Sequence, residues 1–247
     1  MKMNAQFNAP FDWTPETRFA IYYAPARESS WWSTGCQWLS RDPESATVLA
    51  PPTIPALAAR SVDVASLSRA PQRYGWHGTL VAPTRLAPGA KPHDLLERAL
   101  AWARRQHPFE LPVEAAALHE FVAIRPATPD GEAAMRELAS DALHEFVALR
   151  AMPSDAERRR RLESDLSPRQ RELLERWGYP YVLDEFRFHM TLSDSIEPDD
   201  QQVLIDWWRM QLPELGPLPI DGAALFVELK PGQPFVLAAR LPFGAKQ

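Results

Sequence analysis

Apolar and polar positions alternate most regularly near residues 183–193. Phe186, Phe188, Met190 and Leu192 take every second place, and Arg187, His189, Thr191 and Ser193 take the places between them. Successive side chains point to opposite sides of a strand. The pattern therefore predicts a strand there, with one apolar face and one face carrying a cation, an imidazole and hydroxyls. A looser version spans 73–81. Tyr74, Trp76 and Leu80 fall on one side, with Gly78 leaving a gap, and Arg73, Gly75, His77 and Thr79 fall on the other. Pro83 and Pro88 are expected to end this strand.

The same reading extends along the chain. Residues 1–16 read as a loose arm. Arg18–Tyr23 alternates as a strand, and Glu28–Leu39 carries three tryptophans on a short helix. Prolines 51, 52 and 55 forbid a long helix in 41–70, where Ile54–Ala59 has room for one turn. A helix is predicted from Pro92 to about Gln106, and strands over 109–114 and 121–124. Further helices are predicted over 130–149, from Ser154, over 169–177 between Ser167 and Gly178, and over 197–211. Strands over 223–229 and 235–241 close the chain. Each half thus offers a motif strand, a helix and two strands. One octapeptide, Leu118–Arg125, recurs at 143–150 with only Ile changed to Leu. The first copy reads as strand because Pro126 stops it, and the second reads as the end of a helix.

Composition narrows the class. The chain has 247 residues, 45% hydrophobic and 24% charged, which is ordinary for a globular protein with a sizeable core. The 25 prolines imply many fixed loops. A net charge of −5 argues against long nucleic acid as a partner but leaves room for a small phosphate ester in a locally positive pocket. The single cysteine, Cys36, excludes an intrachain disulfide, reads as a small buried residue and fits a reducing compartment. Residues 1–13 lack the basic start and apolar core of a signal peptide, and no apolar run reaches a membrane-spanning length. A cytoplasmic protein without a membrane partner is expected. Its oligomeric state is not written in the sequence.

Two motifs carry the chemistry: His77-Gly78-Thr79-Leu80 and His189-Met190-Thr191-Leu192, one in each half. Phosphoester cleavage needs a base for the attacking oxygen and an acid for the departing one. Histidine serves both near neutrality. A threonine two residues along a strand lies on the same face and can hold a phosphate oxygen. His77, His189, Thr79 and Thr191 are therefore the expected catalytic residues. Arg73, Arg187, Tyr22, Tyr74 and Trp76 are the expected substrate-binding residues, the two arginines to neutralise charge and Tyr22 to stack on a base or sugar. The run Arg158–Arg161 reads as a solvated helix face, with a phosphate-contacting lid as the sharper alternative. His93, His107, His119 and His144 read as surface or capping residues. No spacing calls for a metal, no Walker loop or dinucleotide fingerprint is present, and no cofactor is expected.

The paired motif resembles the signature of the 2H phosphoesterase superfamily, His-hydrophobic-Thr/Ser-hydrophobic, found twice. Gly78 departs from it at the first hydrophobic place. The longer stretches Arg73–Leu80 and Asp184–Leu192 are similar to a narrower branch of uncharacterised proteins associated with bacterial phosphonate-utilisation operons, over about residues 18–243. The resemblance implies an α+β fold of residues 1–247 as one bilobal domain with interleaved lobes, two pseudo-symmetric antiparallel sheets with outer helices around a central cleft. It also implies metal-independent hydrolysis or transfer at a small cyclic phosphate or phosphodiester, such as a nucleotide or ribosyl phosphate of phosphonate metabolism. Two other classes remain open: a non-catalytic binding module for a phosphorylated ligand or RNA end, and a metal hydrolase built on the two histidines.

Overall fold

A computed structural model describes residues 12–244. The arm expected over 1–16 lies outside the described residues as far as residue 11. In chain order the elements are β1 (Arg18–Tyr23), α1 (Ser30–Trp38), α2 (Pro55–Ala58), α3 (Arg69–Tyr74), β2 (Gly78–Arg85), α4 (Pro92–Ala103), β3 (Phe109–Leu111), β4 (Val113–Leu118), β5 (Phe121–Pro126), α5 (Pro129–Phe146), α6 (Asp155–Leu162), α7 (Pro168–Trp177), β6 (Met190–Thr191), α8 (Pro198–Leu215), β7 (Leu218–Ile220), β8 (Gly222–Glu228) and β9 (Val236–Pro242). The architecture is α+β, and its sheets are antiparallel. One has four strands in the order β2-β1-β8-β9, another has three in the order β4-β5-β6, and β3 pairs with β7. No helix among the described residues is long and apolar enough to cross a membrane.

Local chemistry explains most boundaries. Ser154 and Ser167 each form a capping box at the start of α6 and α7, and Gly178, with φ of +72°, ends α7 in the left-handed conformation. The two copies of the octapeptide take different structures. The first ends β4 at Leu118, turns at His119 and Glu120 and then forms β5, paired with β4 and β6, and the second finishes α5 and runs into a 3₁₀ turn over Val147–Leu149.

The motif strands differ from expectation. Residues 73 and 74 end α3 rather than begin a strand, so pairing starts only at Gly78. It then continues through Pro83, because β2 is an edge strand and proline's missing N–H costs nothing on the open side. The second motif strand is just Met190–Thr191; Leu183–Glu185 forms a 3₁₀ turn instead. Its predicted apolar face is nevertheless real. Phe186, Phe188, Met190 and Leu192 are all buried.

One large hydrophobic cluster joins both motif segments to the four-stranded sheet and α8. Trp31, Trp38, Trp76 and Trp208 pack within it, Trp76 stacking on Trp208 at 5.6 Å and 10°. Gly35 of α1 makes room for Trp76: a Cβ there would lie 2.1 Å from the indole. Trp76, expected to bind substrate, is fully buried and belongs to the core. Cys36 is buried as expected, and burial pushes its thiol pKa up.

Candidate active site

The first histidine is aimed by its neighbours. Helix α3 ends at Gly75, whose φ of +81° only glycine adopts without strain. Trp76 then enters the core, and His77 takes the opposite side. Its Nδ1 lies 2.8 Å from the Gly75 carbonyl oxygen, and its ring stacks on Tyr22 at 3.9 Å. Thr79, two residues on, pairs across the sheet with Tyr22.

The second histidine repeats the local arrangement. His189 sits between buried Phe188 and Met190 and so projects the other way. Its Nδ1 lies 2.9 Å from the Arg187 carbonyl oxygen. A carbonyl only accepts, so in both neutral rings Nδ1 carries the hydrogen and Nε2 carries the lone pair. Among the described residues neither Nε2 has a protein partner, and neither do the hydroxyls of Thr79 and Thr191. Four groups able to meet a phosphate are thus left open.

The two motifs touch through their apolar sides. A Cβ on Gly78 would fall 2.4 Å from Phe188 Cε2 and 3.4 Å from Met190 Cγ. The glycine that breaks the sequence pattern therefore makes room for the other motif's phenylalanine.

Electrostatics couples the pair. Burial lowers the His77 pKa to about 4, opposed by the Gly75 hydrogen bond and assisted by His189. Burial also lowers the His189 pKa, opposed by its bond to the Arg187 carbonyl. Both shifts favour the neutral ring at pH 7. Burial raises the Tyr22 phenol well above its usual range, so it remains a neutral O–H.

A cleft of about 590 Å³ opens beside these groups. His77, Thr79, Thr191, Tyr22 and Tyr74 line it, together with Arg18, Phe121, Arg161, Tyr179, Ser193, Asp194 and Ser195. His189 is not among the lining residues, but Phe121, whose ring centroid is 5.8 Å from its own, is. Tyr22 reaches the cleft, although its ring face is taken by His77 rather than left for a base.

The cations are not the expected ones. Arg73 lies on α3, pairs with the buried Glu228 carboxylate and donates to the Gln233 carbonyl, outside the cleft lining. Arg187 is exposed and donates to the carbonyls of Asp184 and Phe186. Neither stands beside its histidine on a strand, because pairing begins after each histidine and not before it. Arg18 and Arg161 are the cations that line the cleft. Arg161 belongs to the four-arginine run. The run alone did not say which member turns inward, since α6 has no buried side chain to orient it. Among the described residues, no three His, Cys, Asp or Glu side chains gather in a way that would hold a metal.

The family described as "Protein of unknown function (DUF1045)" matches residues 79–236. The chain is 34% identical over 237 residues to a protein of Janthinobacterium sp. (strain Marseille) named ribose 1,5-bisphosphate phosphokinase PhnN, covering 93% of this chain and 51% of that one. It is 37% identical over 223 residues to the protein of the same name from Laribacter hongkongensis (strain HLHK9), covering 89% and 50%. The chain spans about half the length of the curated relatives it matches.

Proposed function

We propose, for a chain that belongs to the DUF1045 family, a metal-independent phosphodiesterase of the 2H type acting on a small cyclic phosphate or phosphodiester. The observation that carries this reading is the matched pair of imidazoles. Each has Nδ1 tied to the carbonyl two residues back, an open Nε2 and an open threonine hydroxyl two residues on. In the proposed reaction one Nε2 takes a proton from water as its oxygen attacks phosphorus. The phosphorus–oxygen bond to the sugar breaks, and the other imidazole protonates the departing oxygen. The product is a phosphomonoester. Thr79 and Thr191 hold non-bridging oxygens. Each histidine introduces an edge strand of its own sheet, an arrangement that supports the bilobal reading.

The relatives' name points to a phosphorylated ribose as the substrate class, within phosphonate metabolism. Their kinase activity belongs, on this reading, to the half that this chain does not match. No glycine here is followed directly by lysine, so the phosphate-binding loop G-x-x-x-x-G-K is lacking.

A second reading, a module that binds a phosphorylated ligand without turnover, is favoured by one observation: burial lowers both histidine pKa values, so neither ring holds a ready proton at pH 7. An incoming phosphate would raise them, since a nearby negative charge favours imidazolium. Screening cyclic nucleotides and ribosyl cyclic phosphates, with His77→Ala/His189→Ala as blank and with EDTA present, separates the two. Turnover that survives chelation and vanishes in the blank is expected. Tight binding without product across the panel would favour the binding module.

A further inference from the structure

The cleft continues into a smaller recess of about 30 Å³, and the two share Arg18, Ala82, Pro83, Arg161 and Tyr179. Four guanidinium groups line this recess: Arg18, Arg85, Arg150 and Arg161. Two of them are held by carboxylates. Arg85 grips Glu157 through both oxygens at 2.9 and 2.5 Å, and Arg18 Nε bonds the buried Glu228 at 2.5 Å.

The other two are not. Among the described residues, no carboxylate lies within ion-pair distance of Arg150 or Arg161. Arg161 donates to the Gly178 carbonyl at 2.6 Å and lies over the Tyr179 ring at 4.8 Å. Arg150 donates to the Trp177 carbonyl at 3.0 Å, and its Nε is buried with no partner. Those carbonyls close helix α7 and supply only about half a negative charge, against two full positive ones. Burial lowers the pKa of both arginines, that of Arg150 to about 10 with the Arg161 charge beside it. Buried charges are normally paired, and a guanidinium fork matches phosphoryl oxygens in shape. Carbonyl bonds and a tyrosine ring hold this fork ready at the cleft wall.

We infer that Arg161, with Arg18 beside it and Arg150 behind it, is a second anion site, so that the ligand of this cleft carries two phosphoryl-type groups. One lies between the histidines and threonines, and the other lies on the guanidinium groups. Only the placement of the first group rests on the proposed function.

The primary test uses inorganic phosphate, titrated by calorimetry into the His77→Gln/His189→Gln protein, where the first site has been removed. Binding should persist there and weaken about 10–100-fold when Arg161→Gln is added. Unchanged affinity on adding Arg161→Gln would overturn the inference. The second test keeps the histidines and compares a 2′,3′-cyclic nucleoside monophosphate with the same compound bearing a 5′-phosphate. The doubly charged ligand should bind about 10–100-fold tighter. Arg161→Gln should erase that preference and Arg161→Lys should keep part of it, because the charge remains without the fork. Equal binding of both ligands by the unaltered protein counts against the site. An absence of turnover with the preference intact would sink the phosphodiesterase reading and leave this one standing.

Discussion

The two motif segments carry the same side chains on different scaffolds. His77 introduces β2, an eight-residue edge strand of a four-stranded sheet, and rests on the Tyr22 ring. His189 introduces β6, a two-residue edge of a three-stranded sheet, and lies 5.8 Å from the tilted ring of Phe121. The shared part is short: a carbonyl two residues back fixes the tautomer, and each imidazole stands between two buried neighbours, Trp76 and Gly78 or Phe188 and Met190. The difference lies in burial, which is deeper around His77, where the pKa falls to about 4. Matching chemistry needs only a few matching residues. The two segments also pack together, Gly78 of one against Phe188 of the other.

Each part of this comparison can be broken. Replacing either histidine by alanine should cut turnover about 10²–10⁴-fold. Unequal losses in kcat and in kcat/KM would show that the deeper ring and the shallower one have separate roles. Phe188→Ala removes the wedge between the motifs and should cost about 3–5 kcal/mol in denaturant unfolding. A near-zero cost would mean that the segments are held together by something else. Gly78→Ala forces a Cβ into Phe188 and should cost about 1–3 kcal/mol. Pairing it with Phe188→Leu should return part of that, an expectation a double-mutant cycle checks directly.

The mildest effect is on pH. The proposed acid–base pair needs one proton shared between two imidazoles whose pKa values are both lowered below 6.5. As pH falls from 7 the singly protonated pair becomes more populated, and below about 4 the base is protonated too. A kcat/KM profile should therefore be bell-shaped with its maximum between about 4 and 6.5. A maximum above 7 would contradict the burial of His77.

Much of this was legible in the chain itself. The alternation at 186–192 marked a buried face and an open one, and all four apolar members are buried. Caps at Ser154, Ser167 and Gly178 placed helix ends where they are found. Arg73 and Arg187 do not line the cleft, because the alternation does not extend backward through residues 73–76 and 187. There the chain leaves a helix or a turn, and period two does not apply. Arg161 and Tyr179 were not legible as cleft residues. Arg161 is one of four arginines in a helix with no buried residue, so nothing local selects a face.

The octapeptide shows the boundary between the two kinds of information. Leu118–Arg125 and Leu143–Arg150 differ by one methyl's position, yet the first forms a hairpin turn and strand and the second a helix end and 3₁₀ turn. Flanking residues settled that much: Pro126 stops the first, and Thr128 caps the helix that carries the second. The sequence by itself determined local conformation, the outward turn of each imidazole and the capacity for acid–base chemistry, because these depend on neighbours a few bonds away. Which cations face the cleft, why residue 78 is glycine and how far each histidine's basicity falls were decided only by tertiary packing. They depend on atoms that the fold brings within a few ångströms from opposite halves of the chain.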